Sequence, residues 1–224
     1  MADNWKKLIV ALDLDSAAEI ERVVRVLAPK KVKFKIGPVA FTRFGPDLVK
    51  KLIRRKADVF IDFKLYDIPH TMQATTSVIV DMQAWAFTVH TKAGPEALRL
   101  VRAQVNSRAK KIKGRQPLIF GVTELTSANA GLPQVISLAV QAQAARLDGV
   151  IASAQEAEAL KARLGKSLLV VTPGIRNPGD AAGDQKRVTT AAQAFSAGAD
   201  YIVVGRPIIE KPDYLKAAKQ ILEA

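Results

Sequence analysis

The stretch LIVALDLDSAAEIERVVRVLAPKKVKFKIG, residues 8–37, decides the fold. It opens on an apolar run, 8–13, that ends in Asp13. A helical pattern over 16–28 follows and stops at Pro29. A second run, 32–36, ends at Gly37-Pro38. Strand, helix and strand in about 30 residues make a βαβ unit, whose two strands are parallel. The same alternation continues outward along the chain. Strands are read at 58–63 (DVFIDF), 86–91 (AFTVHT), 118–123 (LIFGVT), 149–153 (GVIAS), 168–172 (LLVVT) and 201–205 (YIVVG). Most of these runs are near-continuous in Val, Ile, Leu and Phe, as strands covered on both faces are. Helical patterns occupy 46–56, 70–83, 94–108, 133–146, 154–164, 188–197 and about 213–223, with turn punctuation at Gly94-Pro95, Gly131 and Gly198. Eight strands alternating with eight helices predict an α/β fold, a (β/α)8 barrel forming one domain over residues 1–224. An open doubly wound sheet is the alternative if one or two strands fail.

Composition narrows the function. The chain of 224 residues has no Cys, which excludes disulfides, Cys-based zinc sites and thiol catalysis. No apolar run approaches the roughly 20 residues of a membrane span, and Asp13 interrupts the first run too early for a secretory signal. A cytoplasmic enzyme without membrane association is the expectation. Lys and Arg exceed Asp and Glu by 34 to 21, a net charge of +13 that attracts anions. One use for it is nucleic-acid binding through KKVKFK (30–35), KKLIRRK (50–56) and RAKKIKGR (108–115). Few aromatic residues are interleaved there for base stacking. The other use is a small anionic substrate.

Familiar cofactor motifs are missing. There is no G-x-G-x-x-G, and Gly165-Lys166-Ser167 precedes a strand where a phosphate-binding loop would follow one. Two histidines, His70 and His90, exclude a His-rich metal site. His90, at a strand end, reads as a rim residue.

In a (β/α)8 barrel the active site lies at the C-terminal ends of the strands. Asp13 ends the first strand, Lys35 stands near the end of the second, and the third runs into Asp62-Phe63-Lys64-Leu65-Tyr66-Asp67. Residues two apart on a strand face the same way, so Asp62 and Lys64 share the barrel mouth if either faces it. Asp13 and Lys35 can join them. Charges removed from water must be paired, and such clusters are candidate sites. Asp67, just before Ile68-Pro69, either caps the next helix or belongs to the site. The long segment 173–186 contains Pro173, Gly174, Arg176, Gln185 and Lys186, and the last strand leads to Gly205-Arg206. Barrels build phosphate sites from the loops after strands seven and eight. Read from the residues alone, this is a barrel enzyme for a small phosphorylated substrate.

Asp62-Phe63-Lys64-Leu65-Tyr66-Asp67-Ile68-Pro69-His70-Thr71 resembles the D-x-K-x-x-D-I-P-x-T signature of the orotidine 5′-monophosphate decarboxylases. ALDLD, FKIG, GVTELTS, TPGIR, GDQKR and VGRPI extend the likeness along nearly the whole chain. The resemblance implies decarboxylation of orotidine 5′-monophosphate to uridine 5′-monophosphate, the last step of de novo pyrimidine synthesis, without metal or cofactor. Lys64 would protonate C6 of the pyrimidine. Asp62 and Asp67 would flank the substrate carboxylate, with Lys35 completing the array. Asp13 and Lys35 would contact the ribose, Thr126 the pyrimidine edge, and Gln185 both base and phosphate. Gly205 and Arg206 would hold the phosphate, with Pro173 lining the pocket. A homodimer is implied, with Asp67, Ile68 and Thr71 serving the partner's site. Related metal-dependent sugar-phosphate decarboxylases and aldolases are the alternative. Their acidic metal ligand on the second strand resembles Lys35 here, and a lysine cannot replace a carboxylate ligand for Mg²⁺. Val89-His90-Thr91-Lys92-Ala93-Gly94-Pro95 departs from the family's V-H-A-x-G-G pattern after its first two residues.

Overall fold

The computed structural model of the protein describes residues 4–125, 131–177 and 189–224. Eight parallel strands close on themselves: β1 (Leu8–Ala11), β2 (Lys33–Ile36), β3 (Asp58–Leu65), β4 (Ala86–His90), β5 (Leu118–Val122), β6 (Gly149–Ile151), β7 (Leu169–Thr172) and β8 (Tyr201–Val204). The pairing of Leu8 with Ile202 and Val10 with Val204 joins β8 to β1. That closure excludes the doubly wound sheet. The outer helices are α1 (Ala17–Leu27), α2 (Pro38–Arg54), α3 (Pro69–Asp81), α4 (Gly94–Ile112), α5 (Leu132–Ala144), α6 (Ala154–Leu164), α7 (Ala191–Ser196), α8 (Arg206–Ile209) and α9 (Tyr214–Glu223). Among the described residues no helix is long and apolar enough to cross a membrane.

Strand alternation sorts the core into two compartments. One face of each strand packs against the helices, where Val10, Phe34, Val59, Ile61, Phe87 and Ile119 meet Val24, Leu52, Ile79 and Val101. The other face fills the barrel with Ile9, Phe60, Phe120 and Val171. Its floor is aromatic: Trp85 lies 5.2 Å from Tyr201 and 6.1 Å from Phe60, edge to face. Lys33 sits over both Trp85 and Tyr201 at 5.6 Å from each ring, and its ammonium donates to the Lys6 carbonyl. The barrel is therefore plugged at its N-terminal end and open at the other.

Two helices differ from the sequence expectation. The pattern over 46–56 belongs to a longer segment, Pro38–Arg54, because Gly37-Pro38 is a helix start and not a plain turn. Proline lacks the amide hydrogen that the first helical turn would leave unpaired. The segment bends at Gly45, whose φ of 65° suits glycine and lies before Pro46, where helical geometry is disfavoured. The short α8 directly after β8 was hidden by Pro207, which occupies the first turn of that helix. Elsewhere local chemistry agrees with the pattern. Ser16 accepts from the Glu19 amide at the start of α1, Ser153 and Glu156 form a capping box on α6, and Gly165 ends α6 at a φ of 81°. Gly165-Lys166-Ser167 is thus an ordinary connection into β7.

Candidate active site

The C-terminal mouth of the barrel holds a cavity of about 430 Å³. Asp13, Lys35, Asp62, Lys64, Pro173, Gly205 and Arg206 all line it, as the strand-end reading expected, with Arg176 and Glu124 beside them. The walls between are apolar, made by Phe60, Val122, Ile151, Val203 and Ile209. Most of these residues stand on alternate positions of successive strands, the parity that also directs Ile9 and Phe60 inward.

The charged array is organised around one carboxylate. Lys35 Nζ lies 3.3 Å from Asp62 Oδ2 and 3.6 Å from Asp13 Oδ2. Lys64 Nζ donates to Asp62 Oδ1 at 3.0 Å. The Asp62 side chain is only 13% exposed, as is that of Lys35, whereas that of Lys64 is 37% exposed toward the cavity. Burial by itself would push Asp62 up. The Lys35 and Lys64 charges, with hydrogen bonds from Lys64 and Thr88, outweigh it and hold Asp62 below the ordinary carboxylate value. Gly37 makes room for the array. A Cβ there would stand 3.1 Å from Asp13 Oδ1 and 3.2 Å from Lys35 Nζ.

Lys64 carries a backbone signature of its own. Its φ is 50°, left-handed for a residue with a side chain. The β3–β4 pairing shifts around it. Ile61 stands opposite Phe87, but Leu65 stands opposite Val89, so four steps on β3 answer two on β4. Such bulges re-aim side chains near active sites. Here the bulge leaves the Lys64 amide outside the ladder, and the Thr88 hydroxyl accepts it at 2.8 Å.

Asp67, Ile68 and Thr71 do not line this cavity. Asp67 is exposed and its Oδ1 accepts from the Ile68 amide at 2.7 Å. It does not cap α3. The N-cap is Ile68, without a side-chain cap bond, because Asp67 stands one residue too early to reach the first free amides. Ile68 is 66% exposed. His90 is a rim residue, its ring 5.4 Å from that of Tyr66 and its Nδ1 accepting from the Lys92 amide. Burial first, then the Lys92 charge, lowers its pKa. Thr126 and Gln185 lie outside the described residues. The base of the segment containing Gln185 is described: Ile175 pairs with Thr189, and the Arg176 amide donates to the Thr189 carbonyl at 3.0 Å.

Sequence reasoning missed Thr88 and Glu124. Glu124 pairs with Lys92 at 2.7 Å and accepts from Gln134 at 2.6 Å, tying the β4 and β5 loops to α5. The inward parity of β4, read back from His90, would have marked Thr88. Nothing local marks Glu124. Among the described residues no group of three or more His, Cys, Asp and Glu side chains converges as a metal site.

The family model described as Orotidine 5'-phosphate decarboxylase / HUMPS family matches residues 6–221. A relative named orotidine 5'-phosphate decarboxylase from Vibrio cholerae serotype O1 (strain O395) is 40% identical over 218 residues, 92% of this chain and 93% of that one. Another of the same name, from Pseudoalteromonas translucida, is 41% identical over 219 residues, 93% of this chain and 92% of its own. The crystal structure of orotidine 5'-phosphate decarboxylase from Lactobacillus acidophilus superposes with a TM-score of 0.83 at 31% identity, covering 96% of this chain and 97% of that one.

Proposed function

Because the chain belongs to the orotidine 5'-phosphate decarboxylase / HUMPS family, we infer that its barrel mouth decarboxylates orotidine 5′-monophosphate to uridine 5′-monophosphate, completing de novo pyrimidine synthesis. The observation that carries this reading is the arrangement of Lys35 and Lys64 about the buried Asp62 carboxylate. On this reading a fixed cation and a fixed anion flank the point at which the substrate carboxylate leaves and the carbanion forms.

The chemistry follows from those charges. The bond from C6 to the carboxylate breaks, its electron pair stays on C6 and carbon dioxide departs. The pyrimidine ring delocalises that pair poorly. The barrier is therefore high, and the site must supply the upper part of the roughly 8–23 kcal/mol by which enzymes commonly lower barriers. Lys64 Nζ stabilises the pair as it develops and then gives C6 its proton. Its position is set in advance by Asp62, so little reorganisation accompanies the reaction. Asp62 and Asp67 disfavour the substrate carboxylate, a charge that the product lacks.

Arg206 and the Gly205 amide are the proposed phosphate holders, with Pro173 and Arg176 beside them. Asp13 and Lys35 are assigned to the ribose, and Thr126 and Gln185 to the base. Remote phosphate binding then contributes to orienting the reacting carbon. The net charge of +13 draws such a substrate in, and no nucleic-acid partner is needed to account for it. We assign Asp67, Ile68 and Thr71 to the partner's site in a homodimer, which accords with their lying off the cavity of their own protomer. A cytoplasmic location is part of the same reading. The metal-dependent alternative is disfavoured by Lys35, whose ammonium stands between the Asp13 and Asp62 carboxylates that a divalent cation would need.

The test is the ultraviolet absorbance of orotidine 5′-monophosphate mixed with purified protein in excess EDTA. Loss of the substrate band is expected, and Lys64→Ala should abolish most of it while retaining affinity for uridine 5′-monophosphate. A folded wild-type protein that leaves the band unchanged overturns the reading.

A further inference from the structure

We propose that Thr88 is a positioning residue for the decarboxylation, the group that fixes Lys64 and Asp62 relative to one another. The inference rests on the decarboxylase reading of the site. Thr88 lies on β4, is wholly buried and does not line the cavity. It does not touch the space where substrate would sit. Its hydroxyl nevertheless joins the two central residues of the array. It accepts the Lys64 backbone amide at 2.8 Å and donates to Asp62 Oδ1 at 3.0 Å.

Both bonds answer a specific need. The register shift between Ile61 and Leu65 takes the Lys64 amide out of the strand ladder. An amide taken out of its ladder needs another acceptor, and the left-handed φ of 50° at Lys64 is strained for a side-chain-bearing residue. The Thr88 oxygen satisfies that amide and so holds the bulge that aims the Lys64 side chain. Its proton then settles the rotamer of Asp62. With Oδ1 shared by Thr88 and Lys64, Oδ2 is left to Lys35 at 3.3 Å. A hydroxyl is both donor and acceptor, which is what a group placed between an amide and a carboxylate requires. Alanine and valine provide neither function.

Thr88→Val, of nearly the same shape, and Thr88→Ser, which keeps the hydroxyl, separate positioning from packing. Turnover, KM and affinity for uridine 5′-monophosphate are measured on folded protein for both variants beside the wild type. Thr88→Val is expected to lose about 10–100-fold in kcat, the scale of a misplacement of about 1 Å. Its KM and product affinity should stay within about threefold of wild type, because the phosphate and ribose contacts are untouched. Thr88→Ser should recover kcat to within about threefold. If Thr88→Val does not fold, Thr88→Ala carries the same expectation. A hydroxyl-free variant with near-wild-type kcat overturns the proposal, as does a serine variant as impaired as the valine one. Equal losses in kcat and product affinity also overturn it, since they mark a general disturbance of the site. A wild-type protein without turnover overturns the decarboxylase reading itself, and the inference with it.

Discussion

Asp62→Asn isolates the electrostatics of the site, because it removes one charge and almost no volume. Asp62 Oδ2 lies 3.3 Å from Lys35 and Oδ1 3.0 Å from Lys64. At an effective dielectric of about 20, each pair represents roughly 5 kcal/mol of gross attraction. Two deductions follow. Desolvating the buried carboxylate costs several kcal/mol, and solvent screens part of the Lys64 attraction, because that side chain is 37% exposed. Asp62 is still held below the ordinary carboxylate value after burial has pushed it up, so the balance favours the anion. A net contribution of about 1.5–3 kcal/mol at neutral pH, the usual worth of hydrogen bonding to a charged group, is the expected remainder. Asparagine forfeits it, removes the carboxylate that pairs with Lys64 and leaves Lys35 with Asp13 alone. Urea titration at pH 7 should show a lower midpoint at unchanged slope. The sign of the pH dependence is fixed. A carboxylate with a depressed folded pKa stabilises above its unfolded value, 3.8, and loses that stabilisation as pH falls through the folded value. The gap between wild type and Asp62→Asn should therefore be constant from pH 7 to about 5 and shrink below about 4. Titrations of the other carboxylates are common to both proteins and cancel. A gap that persists unchanged down to the lowest pH at which both proteins fold would refute the reasoning, since shape alone would then account for the loss.

Three other outcomes follow from the site and the barrel floor. Arg206→Ala should raise KM for orotidine 5′-monophosphate by at least tenfold with a smaller change in kcat, and an unchanged KM would put the phosphate elsewhere. Mixed Asp67→Ala and Lys64→Ala proteins, each inactive alone, should regain partial turnover once subunits exchange, and no recovery despite proven exchange would remove Asp67 from a shared site. Lys33→Met should be more stable than wild type at pH 7 by on the order of 1 kcal/mol. Burial, with the Arg115 and Lys6 charges and against Asp58, depresses Lys33 below 10.5, so its charge costs stability at neutral pH and the advantage of methionine should narrow as pH rises toward 10; a pH-independent difference in urea midpoints would count against it.

Much of the molecule was legible because a barrel repeats one simple rule. Apolar runs that end in Asp13 and Gly205 mark where parallel strands stop, and the same parity that buries Ile9 and Phe60 delivers Asp13, Lys35, Asp62 and Lys64 to one mouth. What could not be read depends on pairing between distant strands. The parity of β4 marks Thr88 only as inward, and otherwise it looks like any β-branched residue in a strand. Its meaning comes from the shift between Ile61 and Leu65, which no periodicity in either strand announces. The Lys92–Glu124 pair is hidden for the same reason, its members lying on separate loops. Local ambiguity accounts for the rest. Gly37-Pro38 and Gly205-Arg206-Pro207 are equally good turns and helix starts, and only the three-dimensional structure shows that each begins a helix.

Lys33 and Lys35 make the division between fold and function concrete. They stand two residues apart on one strand and share its inward face, yet the barrel gives them opposite environments. At the floor, Lys33 meets two aromatic rings and a backbone carbonyl, and burial works against its charge. At the mouth, Lys35 meets two carboxylates 3.3 and 3.6 Å away. A strand advances only about 6.6 Å over two residues, so the change from a cation that the fold tolerates to a cation that the site uses happens within one side-chain layer. What distinguishes them is the neighbouring strand ends. Asp13 and Asp62 both lie at the C-terminal edge, whereas Asp58, the carboxylate that acts on Lys33 at the other, is already paired with Arg115. The same asymmetry supports the proposal that Lys64, and not Lys35, is the reacting lysine. Lys35 is shared between two carboxylates and largely enclosed, whereas Lys64 has one carboxylate partner and is turned by the Thr88-bound bulge toward the open cavity.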